Sequence, residues 1–229
     1  MNLSSLEKNL GIVFENKTLL KEALTHRSYL NENSSWGILH NERLEFLGDA
    51  VLELAVTENL FSRFPKYAEG QLTSIRAALV NYQMMAKVAR EIDLENFVLM
   101  SRGEAKDVGR AREVILANAM EALIGAVYLD HGYEAAQKMV EKIVLAPNLE
   151  VVMKNHLYKD PKSELQEIVQ EKHRITPIYQ IIEEWGPDHK KIFRSGVLMG
   201  EKLLAEGEGY SKQEAETEAA RNALKKINE

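Results

Sequence analysis

The sequence predicts two domains of different class, an all-helical unit followed by a small α-β-β-β-α unit. Three observations carry this reading. Up to about residue 145, apolar residues recur at three- and four-residue spacing, as in Leu44, Leu47, Val51 and Leu54, which is the pattern of helices packed along one face. Beyond about residue 160 the pattern changes to short strand-like runs bounded by turn residues. Between them, residues 146–159 open on Ala146-Pro147-Asn148 and read as a linker. The boundaries are therefore 1–145, 146–159 and 160–229.

Within the first unit, loops are marked at Asn31–Gly37, at Phe64-Pro65-Lys66 and at Ser101–Gly109. The second unit begins with a helix from Pro161 to about Lys172, with Asp160 as its cap and Pro161 in its first turn. Strands follow over Ile178–Glu184, Ile192–Met199 and Lys202–Gly209, separated by Gly186-Pro187-Asp188-His189 and by Met199-Gly200-Glu201. A closing helix runs from Ser211 to about Ile227, where Ser211 and Glu214 have capping-box spacing.

Composition narrows the function. The chain has 229 residues and no cysteine, so disulfides and thiolate metal sites are excluded and a cytoplasmic setting is expected. The N-terminus lacks a basic segment followed by an apolar run, and Val114–Leu129 is short for a membrane span, so no membrane association is expected. No nucleotide cofactor is expected either. The net charge of −6 means that any contact with nucleic acid must use a local basic patch.

Two groups of acids carry the chemistry. Glu42, Glu45 and Asp49 are spaced i, i+3, i+7 and share one helical face. Farther on, Val114–Leu129 is almost wholly apolar, with Asn118 and Glu121 its strongly polar members, one turn apart. A carboxylate in such surroundings needs a counter-charge. Either a divalent cation is shared with the Glu45/Asp49 face, or a basic residue such as Arg43 or His26 pairs with it. Oxygen donors without a His or Cys cluster favour Mg²⁺, with Mn²⁺ as a substitute. A hard cation so held suits phosphodiester chemistry.

The blocks Thr25-His-Arg-Ser-Tyr29, Asn41-Glu-Arg-Leu-Glu-Phe-Leu-Gly-Asp49, Glu69-Gly-Gln-Leu-Thr-Ser-Ile-Arg76 and Glu121-Ala-Leu-Ile-Gly-Ala-Val-Tyr-Leu-Asp130 stand in one order and spacing. In this the chain resembles the bacterial ribonuclease III family over essentially its whole length. The resemblance implies a homodimeric endoribonuclease that cuts both strands of double-stranded RNA in rRNA and mRNA processing. Its products would be 5′-phosphate and 3′-hydroxyl ends with two-nucleotide 3′ overhangs. It assigns Glu45, Asp49, Asn118 and Glu121 to the metal, with Asp49 and Glu121 catalytic and Glu42 and Glu69 in support. Phe46 matches an aromatic that packs into the partner subunit, and on sequence alone it equally reads as an ordinary core residue. Asn118 stands where the family most often has Asp, so the alternative is a weakened or inactive dimer that binds duplex RNA without cutting it.

The second unit resembles a double-stranded RNA-binding domain, which reads duplex RNA by shape across two minor grooves and the phosphates between them. Gln166 and Gln170 match the first minor-groove contact, and His189 the loop entering the second. Ser211, Lys212 and Gln213 begin the last helix, whose N-terminal amides suit phosphate. Lys190, Lys191 and Arg194 add positive charge nearby.

Overall fold

A computed structural model describes residues 3–187 and 190–228. His189 lies outside the described residues. The chain divides into two compact units, Met1–Tyr158 and Lys159–Glu229.

The first unit is helical: α1 (Leu3–Leu10), α2 (Lys17–Ala23), α3 (Arg27–Glu32), α4 (Glu42–Arg63), α5 (Glu69–Val80), α6 (Tyr82–Glu91), α7 (Arg110–His131), α8 (Tyr133–Val140) and α9 (Ala146–Lys154). Helix α7 is the axis of the core, with Ile115–Ala117, Ala119, Met120 and Ala122–Val127 buried against α2, α4 and α6. At 22 residues it is long and apolar enough to cross a membrane, contrary to the shorter span read from the sequence. Its apolar surface is instead spent on the core, where burial of each large side chain contributes about 1.5–3 kcal/mol.

Residues 146–154 correct the linker reading. They form α9, which continues α8 through a π-helical turn at Glu141–Leu145. Proline lacks an N–H and its ring crowds the carbonyl four residues back, so Pro147 at the start of α9 follows a wider turn. Leu145, Leu149 and Val152 are buried, and buried Asn148 donates to the Val144 carbonyl while accepting from Lys87 Nζ at 2.6 Å. A segment with these contacts belongs to the helical unit.

The second unit has α10 (Pro161–His173), β1 (Ile178–Trp185), β2 (Ile192–Met199), β3 (Lys202–Gly209) and α11 (Lys212–Asn228). Asp160 caps α10 by accepting from the Ser163 amide at 2.9 Å. The strands form one antiparallel sheet in the order β1-β2-β3. Helix α11 lies so close to β3 that a Cβ on Gly207 would stand 2.1 Å from the Ala219 nitrogen. Leu165, Val169, Val197, Ala205, Ala219, Ala220, Ala223 and Leu224 make the small core beneath.

Candidate active site

Helices α4 and α7 cross at two glycines. A Cβ on Gly48 would stand 1.8 Å from the Glu121 carbonyl oxygen, and one on Gly125 2.3 Å from that of Leu44. Only residues without side chains allow two helix backbones so close, and the contact carries the acids of α4 to those of α7. The charges of Asp49 and Glu45 act on Glu121, and Asn118 hydrogen-bonds Glu45.

Burial pushes the Glu121 carboxyl up to about 8, with the Asp49 and then the Glu45 charge adding to the effect. Glu45 is raised too, chiefly by burial, next by the charge of Glu42, then by that of Asp49; its bond from Asn118 opposes the rise. Asp49 is exposed at the rim. Neither basic partner considered from the sequence meets Glu121. His26 Nδ1 faces Ser28 Oγ at 2.7 Å at the start of α3, and Arg43 is exposed. Among the described residues, no ion pair reaches Glu121.

The donors are all oxygens: three carboxylates and one amide. That set is of the kind that fits a hard divalent cation. Among the described residues, no three His, Cys, Asp or Glu side chains form a ready-made ligating cluster. Asn118 contributes one oxygen without charge, and its amide N–H₂ relieves Glu45.

The two supporting acids diverge. Glu42, one turn before Glu45, faces Arg27 Nη1 at 3.4 Å and His40 Nδ1 at 3.8 Å. Glu69 opens α5 and accepts from Thr73 Oγ1 at 2.9 Å; among the described residues it makes no hydrogen bond or ion pair with Glu45, Asp49 or Glu121. Phe46 is 82% exposed and heads an apolar stripe along α4 with Leu54 and Phe61, so it is not a core residue of this unit. The sequence reading gave no role to Gly48 and Gly125, although a glycine inside an apolar helix costs about 1 kcal/mol and so signals close packing.

In the second unit, Gln166 and Gln170 are exposed one turn apart on α10, and Lys190 is exposed beyond the β1–β2 turn. Ser211 Oγ accepts from the Glu214 amide at 3.1 Å, and the Glu214 carboxylate accepts from the Tyr210 amide at 2.9 Å. The reciprocal arm of this cap thus reaches one residue earlier than a capping box would. Lys212 and Gln213 are exposed in the first turn of α11. Lys191 Nζ binds Glu184 at 2.9 Å and Lys212 also acts on Glu184, so these two cations share one neighbourhood. Arg194 is already paired with Glu183 and Glu208, so it adds less free positive charge than its sequence position promised.

Comparison with known proteins shows the family of both units. Residues 16–149 match the ribonuclease-III-like family model, and residues 161–227 match the double-stranded RNA binding motif. Ribonuclease 3 of Carboxydothermus hydrogenoformans is 48% identical over 227 residues, covering 97% of this chain and 94% of the relative. Ribonuclease 3 of Desulforamulus reducens is 46% identical over 222 residues, covering 97% and 90%. A solved nuclease domain of ribonuclease III from Campylobacter jejuni, described for flexibility in a region involved in its dimer formation, is 44% identical with a TM-score of 0.58. That match covers 63% of this chain and 96% of the solved one. The chain belongs to the ribonuclease III family of endoribonucleases and carries that family's helical nuclease domain ahead of a double-stranded RNA-binding motif.

Proposed function

We propose that this endoribonuclease hydrolyses double-stranded RNA with Mg²⁺ at the α4/α7 acids, working as a homodimer on rRNA and mRNA precursors in the cytoplasm. The observation that carries the reading is the glycine-mediated crossing of α4 and α7, across which the charges of Asp49 and Glu45 act on Glu121, a carboxyl that makes no ion pair among the described residues. Glu45, Asp49, Asn118 and Glu121 would hold the ion, and Asp49 and Glu121 are the groups on which cleavage most depends. A divalent cation held there would polarise the phosphodiester, activate water and offset charge on the departing oxygen. Burial and the neighbouring acids raise the Glu121 carboxyl to about 8, so Glu121 would have to give up its proton near neutral pH to serve as a ligand. Glu42 and Glu69 would assist at the site or contact the substrate. The products would carry 5′-phosphates, 3′-hydroxyls and two-nucleotide 3′ overhangs.

Homodimer formation rests on Phe46. An aromatic ring left 82% exposed at the head of an apolar stripe on α4 is suited to a pocket in a second copy. Double-stranded RNA would be gripped by Gln166 and Gln170, by the β1–β2 turn with His189, Lys190 and Lys191, and by Ser211, Lys212 and Gln213. Binding without cleavage is the alternative that Asn118 raises.

Incubating the protein with an end-labelled RNA duplex, with and without Mg²⁺, separates the two. Short duplex products that appear only with Mg²⁺ support the nuclease reading, and their ends test the overhang. Intact RNA that migrates as a complex supports binding alone.

A further inference from the structure

Within the block Thr25-His-Arg-Ser-Tyr29, the residues His26, Arg27 and Ser28 line a cleft and have no part in the function proposed above. An open cleft of about 780 Å³ has Leu30, Ala111, Val114 and Ile115 among its apolar lining residues and Arg27, His40 and Glu104 among its polar ones. Two short steps link it to the acids. Glu42 lies one turn before Glu45 and Val114 one turn before Asn118, while Glu45 and Asn118 are bonded to each other.

The polar residues have unused capacity. The Arg27 side chain is 71% exposed, and its single 3.4 Å contact to Glu42 leaves most of its five donors free. Among the described residues, His40 Nδ1 is buried without a hydrogen-bond partner, 3.8 Å from Glu42, although its side chain is 37% exposed. The exposed part of the ring therefore lies away from Nδ1. Glu42 stands between the two groups, 3.4 Å from one and 3.8 Å from the other.

We infer that this cleft holds a ribose-phosphate unit of the RNA strand beside the cut bond. Arg27 takes the phosphate, His40 Nε2 the 2′-hydroxyl, and the apolar residues the face of the sugar. A hydroxyl both donates and accepts, so either histidine tautomer serves. Arg27 and His40 are positioning residues that favour RNA over DNA next to the cleavage site. This rests on the nuclease reading above and assigns a further contact to the same substrate.

The test uses the full-length protein and a labelled RNA duplex. Arg27→Ala should raise KM about tenfold with kcat nearly unchanged, the pattern of lost uniform binding. It should also lower the slope of log KM against log salt by about one, and Arg27→Lys should restore that slope. The KM loss should persist in a Glu42→Gln background, because a phosphate anchor does not act through Glu42. A 2′-deoxy substitution beside the cut should slow the wild type and leave His40→Phe unaffected. An unchanged KM and salt slope in Arg27→Ala, or a loss that disappears in Glu42→Gln, overturns the inference. If the wild type binds but does not cut, the nuclease reading fails instead, and the salt slope of binding, measured by gel shift for wild type and Arg27→Ala, still decides this one.

Discussion

Replacing Gly48 with alanine adds one carbon where α4 and α7 cross. That carbon would stand 1.8 Å from the Glu121 carbonyl oxygen, where real Cβ contacts essentially never fall under 3.0 Å, so the helices must part by at least about 1.2 Å. The obstacle is backbone and cannot rotate aside. Overpacking a core costs about 1–3 kcal/mol, and a backbone clash belongs at the upper end. Better helix propensity of alanine offsets about 1 kcal/mol, leaving a loss of about 2 kcal/mol. The effect on cleavage should be larger in proportion. A shift of about 1 Å in the positioning of reacting groups can cost about 100-fold in rate. Gly48→Ala should therefore cut duplex RNA about 100-fold more slowly while the second unit still binds it. Urea unfolding and single-turnover cleavage with saturating Mg²⁺ measure the two effects. Gly70→Ala on α5 is the control, because a Cβ there meets nothing within 4 Å, and it should stabilise by about 0.5–1 kcal/mol. A Gly48→Ala protein as stable and as active as the wild type would refute the claim that this contact sets the site.

Other consequences follow from the same geometry. Glu121 ionises near 4.5 in the unfolded chain and near 8 in the fold, so the unfolded state loses its proton first. Stability of the metal-free protein should then fall as pH rises from about 4.5 to about 8, by on the order of 2 kcal/mol at a position partly screened by solvent, and level off above. Glu121→Gln should remove that slope in thermal melts recorded in EDTA. Asn118→Asp adds a charge to the donor set, so half-maximal cleavage should need several-fold less Mg²⁺; an unchanged requirement would place Asn118 outside the ligand set. Phe46→Asp should shift the protein toward monomer in sedimentation equilibrium, whereas a wild-type profile would remove Phe46 from the interface.

Much of the fold was legible because local chemistry and tertiary structure agree in the second unit. Asp160 and Pro161 start α10, and β2 and β3 occupy the residues that their alternation marks. The linker reading failed at Ala146-Pro147-Asn148, since a proline near the start of a helical segment breaks nothing when the turn before it is wide. Glu7 escaped notice altogether. It is buried where it accepts from the Phe14 amide and pairs with Lys17, a partnership made by a loop folding back and invisible to helical spacing. The acids of α4 and α7 were legible as two separate anomalies, a shared acidic face and a carboxylate in an apolar helix. What joined them, the approach of Gly48 to Gly125, depends on the crossing of two helices far apart in sequence, which no one-dimensional pattern contains. The charge of the second unit was not legible, because Lys191 and Arg194 are held by glutamates on neighbouring strand positions.

The central claim is that one cation and the cutting of RNA both depend on the acids gathered at this crossing. Mn²⁺ binding, followed by electron paramagnetic resonance, should be measured alongside duplex cleavage in the wild type, Asp49→Ala and Glu121→Ala. The account predicts that each variant binds Mn²⁺ at least about tenfold more weakly and loses cleavage, while still binding duplex RNA. Variants that bind the ion and cut RNA as the wild type does would contradict it.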